Sequence, residues 1–164
     1  MNCKQCGAPV KLVPDRDYFI CEYCTSFYIP EQNRDGVRAL DEASQVICPV
    51  CKTFLVAGSV NGDRILFCKN CKGILVDQCI FLMLVQFMRP EVIGPEVQPQ
   101  PFNPKELERK LTCPYCGRIM DTHSYCGPGN VVIDICGACG IVWLDYGELY
   151  KIINAPGRDR RQWL

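Results

Sequence analysis

The cysteines constrain this chain more than any other feature of its sequence. Twelve of the fourteen cysteines form six Cys-x-x-Cys pairs, and these pairs group into three sets of two. The inner cysteines of the three sets are separated by 14, 16 and 19 residues, a length that a short β-hairpin fills. The paired cysteines are Cys3, Cys6, Cys21, Cys24, Cys48, Cys51, Cys68, Cys71, Cys113, Cys116, Cys136 and Cys139. This spacing predicts three metal sites with four sulfur ligands each.

Four thiolates at this spacing favour Zn²⁺, which takes a tetrahedron of sulfurs without redox chemistry. A glycine directly after the second cysteine of a pair eases the tight turn, because glycine accepts a positive φ. Gly7, Gly117 and Gly140 stand at that place, and Gly73 follows one residue later in another pair. We therefore expect three Zn²⁺ ions, one per four-cysteine site, held by three tandem zinc ribbons.

Turn signals between the pairs favour local pairing within each set over an interleaved two-zinc cross-brace. Val60-Asn61-Gly62-Asp63 is a strong hairpin signal, flanked by apolar and β-branched residues. Gly127-Pro128-Gly129-Asn130 and Pro14-Asp15-Arg16-Asp17 are the corresponding turns of the third and first sets.

Three other uses of the cysteines are open at this stage. A disulfide framework needs an oxidising compartment, but the chain begins Met1-Asn2-Cys3 with no apolar export segment, so we expect a cytoplasmic protein. Thioredoxin-like redox chemistry needs one unpaired motif in a βαβ unit, not six. Iron in a rubredoxin-like site uses the same four ligands, which leaves an electron carrier as an alternative.

The 164 residues divide into modules that are each too small to fold unaided, so bound metal has to supply stability. The predicted fold class is a small metal-stabilised α+β protein of three tandem zinc ribbons, the second and third each followed by a short α-helix. The predicted divisions are ribbon one at 1–30, a polar connector at 31–45, ribbon two with an apolar helix at 46–89, a Pro-rich linker and short helix at 90–110, ribbon three with a helix at 111–155, and a tail at 156–164. Val37, Leu40 and Ala43 of the connector have roughly helical spacing, which allows a short helix there.

Ribbons two and three form an internal repeat. When Cys71 is set against Cys139, Ile74-Leu75-Val76-Asp77 aligns with Val142-Trp143-Leu144-Asp145, and a helix-compatible segment follows each. Ribbon one offers only Phe27-Tyr28-Ile29 before Pro30, so its helix is missing. We expect Asp77 to cap the second ribbon's helix and Asp145 with Glu148 to form a capping box. A further helix is expected to start at Asn103-Pro104.

The third ribbon resembles the transcription-factor-IIB-type zinc ribbon family. The residues that carry the resemblance are Cys113-Pro114-Tyr115-Cys116, Val132-Ile133-Asp134, Cys136-Gly137-Ala138-Cys139-Gly140 and Val142-Trp143-Leu144-Asp145-Tyr146-Gly147-Glu148-Leu149. The last run is similar to the family's Trp-Leu-Asp-x-Gly-Glu-Leu ending, whereas Ile141 replaces a usual glycine. Ribbon two resembles the family more weakly, with Leu75 in place of the tryptophan. The resemblance implies zinc binding and does not establish a role in transcription.

The segment 78–88 is apolar on nearly every helical face but far too short to span a bilayer. We expect it to be buried, either against other modules or against a protein partner or second copy. Trp143 and Leu144 are expected to shield the sulfurs from water.

Charge disfavours nonspecific nucleic-acid binding. The chain carries 18 basic and 18 acidic side chains, and each zinc ion with four thiolates adds a net charge of −2, which brings the loaded protein to about −6. Basic residues concentrate modestly in ribbon two, so a transcription- or RNA-associated factor is the second functional hypothesis. These residues are Lys52, Arg64, Lys69 and Lys72, with Arg158, Arg160 and Arg161 in the tail.

The sequence offers no candidate catalytic site and no evident small-molecule substrate. His123 is expected to be a loop residue, Cys79 a small hydrophobic residue and Cys126 an exposed thiol without an activating neighbour. With four sulfurs on each ion, no coordination position is open to a substrate. We therefore expect a non-enzymatic zinc protein that acts as a protein-interaction or assembly module.

Overall fold

The computed structural model describes residues 1–89 and 98–156, which form a small α+β protein. The strands are β1 (Val10–Leu12), β2 (Phe19–Cys21), β3 (Phe27–Tyr28), β4 (Arg38–Ile47), β5 (Phe54–Val60), β6 (Asp63–Phe67), β7 (Ile74–Asp77), β8 (Asp121–Ser124), β9 (Val132–Cys136) and β10 (Ile141–Leu144). The helices are α1 (Gln78–Met88), α2 (Pro104–Leu107) and α3 (Glu148–Asn154). The predicted fold class is confirmed: three cysteine clusters, and helices after ribbons two and three.

Each ribbon contributes three antiparallel strands. Ribbon one forms a separate sheet with the order β1-β2-β3. Ribbons two and three instead share one seven-stranded sheet with the order β4-β5-β6-β7-β10-β9-β8, in which the connector supplies the additional strand β4. The two ribbons are therefore joined edge to edge through their third strands, β7 and β10.

The β7–β10 pairing relates ribbons two and three by a quasi-twofold axis. Leu75 pairs with Trp143, which is its own equivalent in the sequence repeat, and Ile74 pairs with Leu144 and Val76 with Val142 on either side. In an isologous interface the same surface of each unit meets the other, so that residue i contacts residue j and the equivalent of j contacts the equivalent of i. The β7–β10 pairing follows this pattern. The sequence repeat thus corresponds to a structural repeat within one sheet.

The predicted hairpin of ribbon two is present as a two-residue turn. Val60 pairs with Asp63, and both Asn61 and Gly62 have positive φ, at 51° and 90°. Two consecutive positive φ values define the type I′ turn, whose twist matches the flanking strands.

The helix considered for the connector 31–45 is wrong, because β4 occupies most of this region. Val37 and Leu40 are both buried although they lie three residues apart. β4 pairs with β5 through two register shifts, and Asp41 within it has a φ of 59°, so the strand does not alternate regularly. The helix-like spacing therefore comes from this irregular strand together with Val37, the residue just before it.

Helices α1 and α3 begin differently from each other. Asp77 caps α1 as predicted, with its Oδ1 accepting hydrogen bonds from the amides of Cys79 and Ile80 at 2.8 and 3.3 Å. The prediction that α3 starts at Asp145 is wrong, because this helix begins at Glu148 after Gly147, whose φ is 87°. Half of the predicted capping box is present: Glu148 Oε2 accepts from the Asp145 amide at 2.7 Å. The predicted cap of the 104–107 turn is also present, since Asn103 accepts from Lys105.

Helix α1 is buried on one face only, which corrects the expectation of burial all round. Phe81, Leu84 and Val85 lie in the core. Three large apolar side chains on the outer face, Leu82, Met83 and Phe87, are exposed among the described residues.

Two hydrophobic clusters lie in the body formed by ribbons two and three. The helix-side cluster contains the inner faces of α1 and α3 with Ile74, Val76, Val142 and Leu144 from the paired strands. The metal-side cluster contains Leu75 and Trp143 with buried cysteines of both ribbons. Successive strand residues point to opposite faces, which explains why the paired strands feed both clusters. Within the described ranges, no helix is long and apolar enough to cross a membrane.

The Pro-rich segment 90–97 and the tail residues 157–164 lie outside the described residues. The predictions for these two stretches, including the basic tail, therefore stay predictions.

Candidate metal centres

The twelve paired cysteines form three groups of four. In each group the four Sγ atoms all lie within 4.8 Å of one another. The groups are Cys3/Cys6/Cys21/Cys24, Cys48/Cys51/Cys68/Cys71 and Cys113/Cys116/Cys136/Cys139. The structure thus brings together every predicted metal ligand, with local pairing inside each ribbon.

The sulfur geometry fits a tetrahedral zinc ion. Zn–S bonds of about 2.3 Å place the corners of a tetrahedron about 3.8 Å apart. The Sγ–Sγ distances between the two pairs of a site are 3.5 Å for Cys3–Cys24, 3.7 Å for Cys48–Cys71 and 3.8 Å for Cys113–Cys139. These separations are well beyond the bond length of about 2.05 Å that a disulfide requires. These separations are consistent with one metal ion in each four-cysteine group.

All six Cys-x-x-Cys turns share one backbone conformation. The residue after the second cysteine has a positive φ in every turn, and its amide donates to the carbonyl of the first cysteine at 2.9–3.0 Å. These residues are Gly7, Thr25, Lys52, Lys72, Gly117 and Gly140. Three of them carry side chains in the left-handed region, which costs roughly 1–2 kcal/mol each. The turns therefore hold strained residues that metal binding has to offset.

The three sites differ in their burial. Site two has no exposed cysteine, because Cys48 and Cys68 are buried and Cys51 and Cys71 are half-buried. Site one has an exposed Cys6, and site three has an exposed Cys116. Only sites two and three contribute cysteines to the metal-side cluster around Trp143. Site one is therefore the least protected of the three.

Trp143 shields the sulfurs as predicted, and it does so for two sites at once. Its side chain is fully buried in the metal-side cluster with cysteines of ribbons two and three. It lies against Gly73 of ribbon two so closely that a Cβ at this glycine would stand 2.2 Å from Trp143 Cζ2. Leu144 does not share this role, because it points into the helix-side cluster.

A polar network supports the third site. Trp143 Nε1 donates to Asp145 Oδ1 at 2.9 Å. Arg109 forms ion pairs with both Asp145 and the fully buried Asp134, and Thr122 Oγ1 donates to Asp134 Oδ1 at 2.5 Å. Asp145 therefore positions the tryptophan and does not cap α3. The sequence analysis did not identify Arg109 as a candidate. Its position shortly before Cys113, the first cysteine of ribbon three, was the only signal of this role in the sequence.

Hydrogen bonds lower the pKa of two thiols in site one, Cys3 and Cys24, and of one thiol in site three, Cys116. A hydrogen bond from Ser26 lowers the pKa of Cys24 to about 6, and the backbone amide of Arg118 lowers that of Cys116 to about 7. The pKa of Cys139 rises instead to about 12, because its thiol donates to the Cys116 thiolate. At least one sulfur in each of these sites is thus ready to bind a cation near neutral pH, and thiols that are still protonated lose their protons as the metal binds.

The remaining candidate residues lie outside the three four-cysteine groups. His123 is exposed on strand β8, so the prediction that it is a loop residue is wrong. Cys126 is exposed as predicted, whereas Cys79 is also exposed and does not pack as a small hydrophobic residue. The basic residues of ribbon two have partners within the chain: Lys69 pairs with Asp41 at 2.5 Å, Lys72 lies over the Phe67 ring, and Arg64 donates to the carbonyl of Arg16 at 3.0 Å.

Asp35 is a structural residue whose role the sequence did not reveal. Its carboxylate is buried and accepts from the amides of Gly147 and Tyr150 at 2.7 and 2.9 Å, so the connector caps α3 from more than one hundred residues away. No local motif signals a cap supplied over such a distance.

Fold and site together define a protein of tandem zinc ribbons with three tetracysteine centres. Residues 112–155 match the family model described as transcription factor zinc-finger, a TFIIB-type zinc ribbon. This match confirms the resemblance on the third ribbon, and the tetracysteine clusters extend the ribbon architecture to the other two. The comparisons with curated proteins and with solved structures found no match.

Proposed function

We propose that this chain is a non-catalytic zinc protein, with one Zn²⁺ per tetracysteine site, that acts as a protein-interaction or assembly module. Four sulfurs complete the tetrahedron of each ion, so the metal serves to hold the ribbons in shape. Thiol ligands have to stay reduced, which fits the cytoplasm. Zinc is proposed over iron because a structural role needs no redox chemistry, and Zn²⁺ has none.

The outer face of α1 carries the proposal. In the repeat, Phe81, Leu84 and Val85 of α1 occupy the places of Leu149, Ile152 and Ile153 of α3, and all six are buried. The two helices therefore use the same inner positions to cover the same sheet.

The outer positions of the two helices differ in chemistry. Leu82 and Met83 of α1 are exposed where α3 has Tyr150 and Lys151, and Phe87 is exposed at the end of α1. The fold does not require apolar residues there, because α3 makes the same packing with polar ones. An apolar outer face that packing does not explain indicates a contact with another molecule.

The chemistry of this face favours a protein partner that presents an apolar helix or groove. Leu82, Met83 and Phe87 follow helical spacing, and the exposed neighbours Gln78 and Gln86 are uncharged. A flexible Met and an aromatic ring suit an apolar protein surface and offer nothing to phosphate. Nucleic acid is less well supported, since zinc loading makes the chain acidic and the basic residues of ribbon two have internal partners.

Site-specific photocrosslinking tests this proposal. A benzophenone amino acid at position 83 should give a discrete covalent adduct with one protein in cells of the source organism. The same amino acid at position 151, the equivalent exposed position on α3, is the control and should give none. When the benzophenone amino acid is placed at position 82 instead, the additional substitution Met83→Glu should abolish the protein adduct without loss of bound zinc. Adducts that are equal at both positions, or that contain nucleic acid, would contradict the proposal.

A further inference from the structure

The third strand of ribbon one corresponds to the strands that join ribbons two and three. When Cys21, Cys68 and Cys136 are aligned, Phe27-Tyr28-Ile29 takes the place of Ile74-Leu75-Val76 and of Val142-Trp143-Leu144. The strand pairing agrees with this alignment: Phe19 pairs with Tyr28 as Leu66 pairs with Leu75. β3 is therefore the repeat equivalent of β7 and β10.

Burial separates β3 from its two equivalents. The apolar residues that flank the central position are 3% exposed or less in ribbons two and three, because they lie in the helix-side cluster under α1 and α3. In ribbon one the corresponding residues, Phe27 and Ile29, are 70% and 47% exposed. Among the described residues, ribbon one has no helix to cover this apolar strand, and the outer side of β3 also has no neighbouring strand.

The backbone of β3 is ready to accept a further strand. The Cys21 amide donates to the Ser26 carbonyl at 2.8 Å, as the Cys68 amide donates to Gly73 at 2.9 Å. In an antiparallel ladder, every second residue of a strand directs its amide and carbonyl to the same neighbouring strand. Since Ser26 bonds to Cys21, Tyr28 also faces inward to Phe19. The amides and carbonyls of Phe27 and Ile29 therefore point outward, away from β2. β3 is an edge strand of its sheet, so these outward groups form an open edge among the described residues.

We propose that β3 pairs with β3 of a second copy of this chain, antiparallel and about a twofold axis at Tyr28. Phe27 of one copy would then lie opposite Ile29 of the other, as Ile74 lies opposite Leu144. This register is self-complementary, as an isologous contact requires. The chain already makes the equivalent contact once, internally, between β7 and β10.

The proposed contact is short. Pro30 lacks an amide hydrogen and ends the strand, so each copy contributes three residues to the ladder. A ladder of this length buries much less than the roughly 800 Å² per partner of a standard interface, so we expect dissociation on the order of micromolar or weaker. This inference is independent of the outer face of α1 and of its partner.

Mass measurement on the zinc-loaded full chain tests the proposal first. Sedimentation equilibrium should give 18.6 kDa at low concentration and approach twice that mass at high micromolar concentration. Phe27→Lys places a charge on the edge and should keep the chain monomeric. The matched control is Phe54→Lys, which changes a phenylalanine of similar exposure in ribbon two and should leave the dimer unchanged.

Disulfide trapping tests the register. In a Cys79→Ser, Cys126→Ser background, Tyr28→Cys should cross-link two copies under mild oxidation, because the Cα atoms of a narrow antiparallel pair lie about 4.5 Å apart. Phe27→Cys should not, since position 27 of one copy lies opposite position 29 of the other. Bound zinc at three per chain checks that each variant is folded.

The outcomes decide the proposal. Monomeric mass at every concentration, or equal cross-linking at positions 27 and 28, would overturn it. A dimer that survives Phe27→Lys but is lost in Met83→Glu would also overturn it and would assign self-association to α1.

Discussion

At the scale of single residues, the joint between ribbons two and three depends on a glycine that faces a tryptophan. Gly73 has no side chain, and this absence gives Trp143 room to lie over the second metal site. The indole is then fixed by its hydrogen bond to Asp145, which Arg109 holds in turn. Trp143 and Asp145 belong to the Trp-Leu-Asp motif of the third ribbon, yet they also stabilise the contact with the second ribbon. The family resemblance of this motif covers the third ribbon.

Gly73→Ala should destabilise the zinc-loaded protein by about 1–3 kcal/mol, because the new methyl group overlaps the indole ring. Chemical denaturation measures the loss, and the contribution of Trp143 to the near-ultraviolet circular dichroism should weaken. Gly137→Ala is the control, since a Cβ at Gly137 meets nothing within 4 Å. Equal effects of the two substitutions would show that Trp143 does not pack as described.

Glu148 should make stability depend on pH. Burial, together with the nearby charge of Asp145, raises the pKa of Glu148 to about 9. The unfolded value lies near 4.3, so between these two pKa values the folded state holds a proton that the unfolded state has lost. The free energy of unfolding should therefore fall as pH rises from 7 to 9, by up to about 1.4 kcal/mol per pH unit.

Glu148→Gln should flatten this slope, because glutamine keeps the neutral shape and has no proton to lose. Denaturation of both proteins at several pH values between 7 and 9 measures the difference, in a range where the zinc thiolates stay loaded. Parallel slopes for the two proteins would mean that Glu148 is ionised in the fold.

At the scale of elements, local signals predicted those structures that local contacts make. The Asn61-Gly62 turn and the Asp77 cap were correct, since each depends on residues within a few positions. The connector was misread because β4 gains its register from β5 and not from its own periodicity. The start of α3 was misplaced for a similar reason: Asp145 is engaged by Trp143 and Arg109, and the distant Asp35 supplies the cap.

Asp35→Ala should therefore destabilise the protein by about 1–3 kcal/mol, because two amides at the start of α3 lose a charged acceptor. Hydrogen exchange should speed up at the amides of Gly147 and Tyr150 in particular. Asp121→Ala, which removes an exposed carboxylate from β8, is the control and should leave both readouts unchanged. Protection of α3 that survives Asp35→Ala would show that the connector does not cap it.

At the scale of the whole molecule, the chain consists of a two-ribbon body and a more separate first ribbon. Ribbons two and three share a sheet and both hydrophobic clusters. Ribbon one has its own small sheet, and its turn residues contact the body through polar interactions such as the Asp17–Arg38 ion pair at 3.1 Å. The cysteine spacing predicted the three sites but not this division, because spacing within a ribbon says nothing about which ribbons pair.

Metal should therefore leave site one first. Under excess chelator, the cysteines of ribbon one should become reactive to alkylation before those of the other two sites, as measured by peptide mass spectrometry. The circular dichroism of Trp143 should stay constant during this first phase, because the tryptophan lies over sites two and three. Release of all three ions in one step, or from ribbon two first, would contradict the proposed division.

The central claim is that three tetracysteine sites each hold one zinc ion and thereby maintain the fold. Native mass spectrometry with elemental analysis tests it most directly, on freshly purified protein treated with an alkylating reagent. We predict the chain mass plus three Zn²⁺, with modification confined to Cys79 and Cys126, the two cysteines outside the clusters. A folded chain without bound zinc, or one whose paired cysteines are all readily alkylated, would contradict the claim.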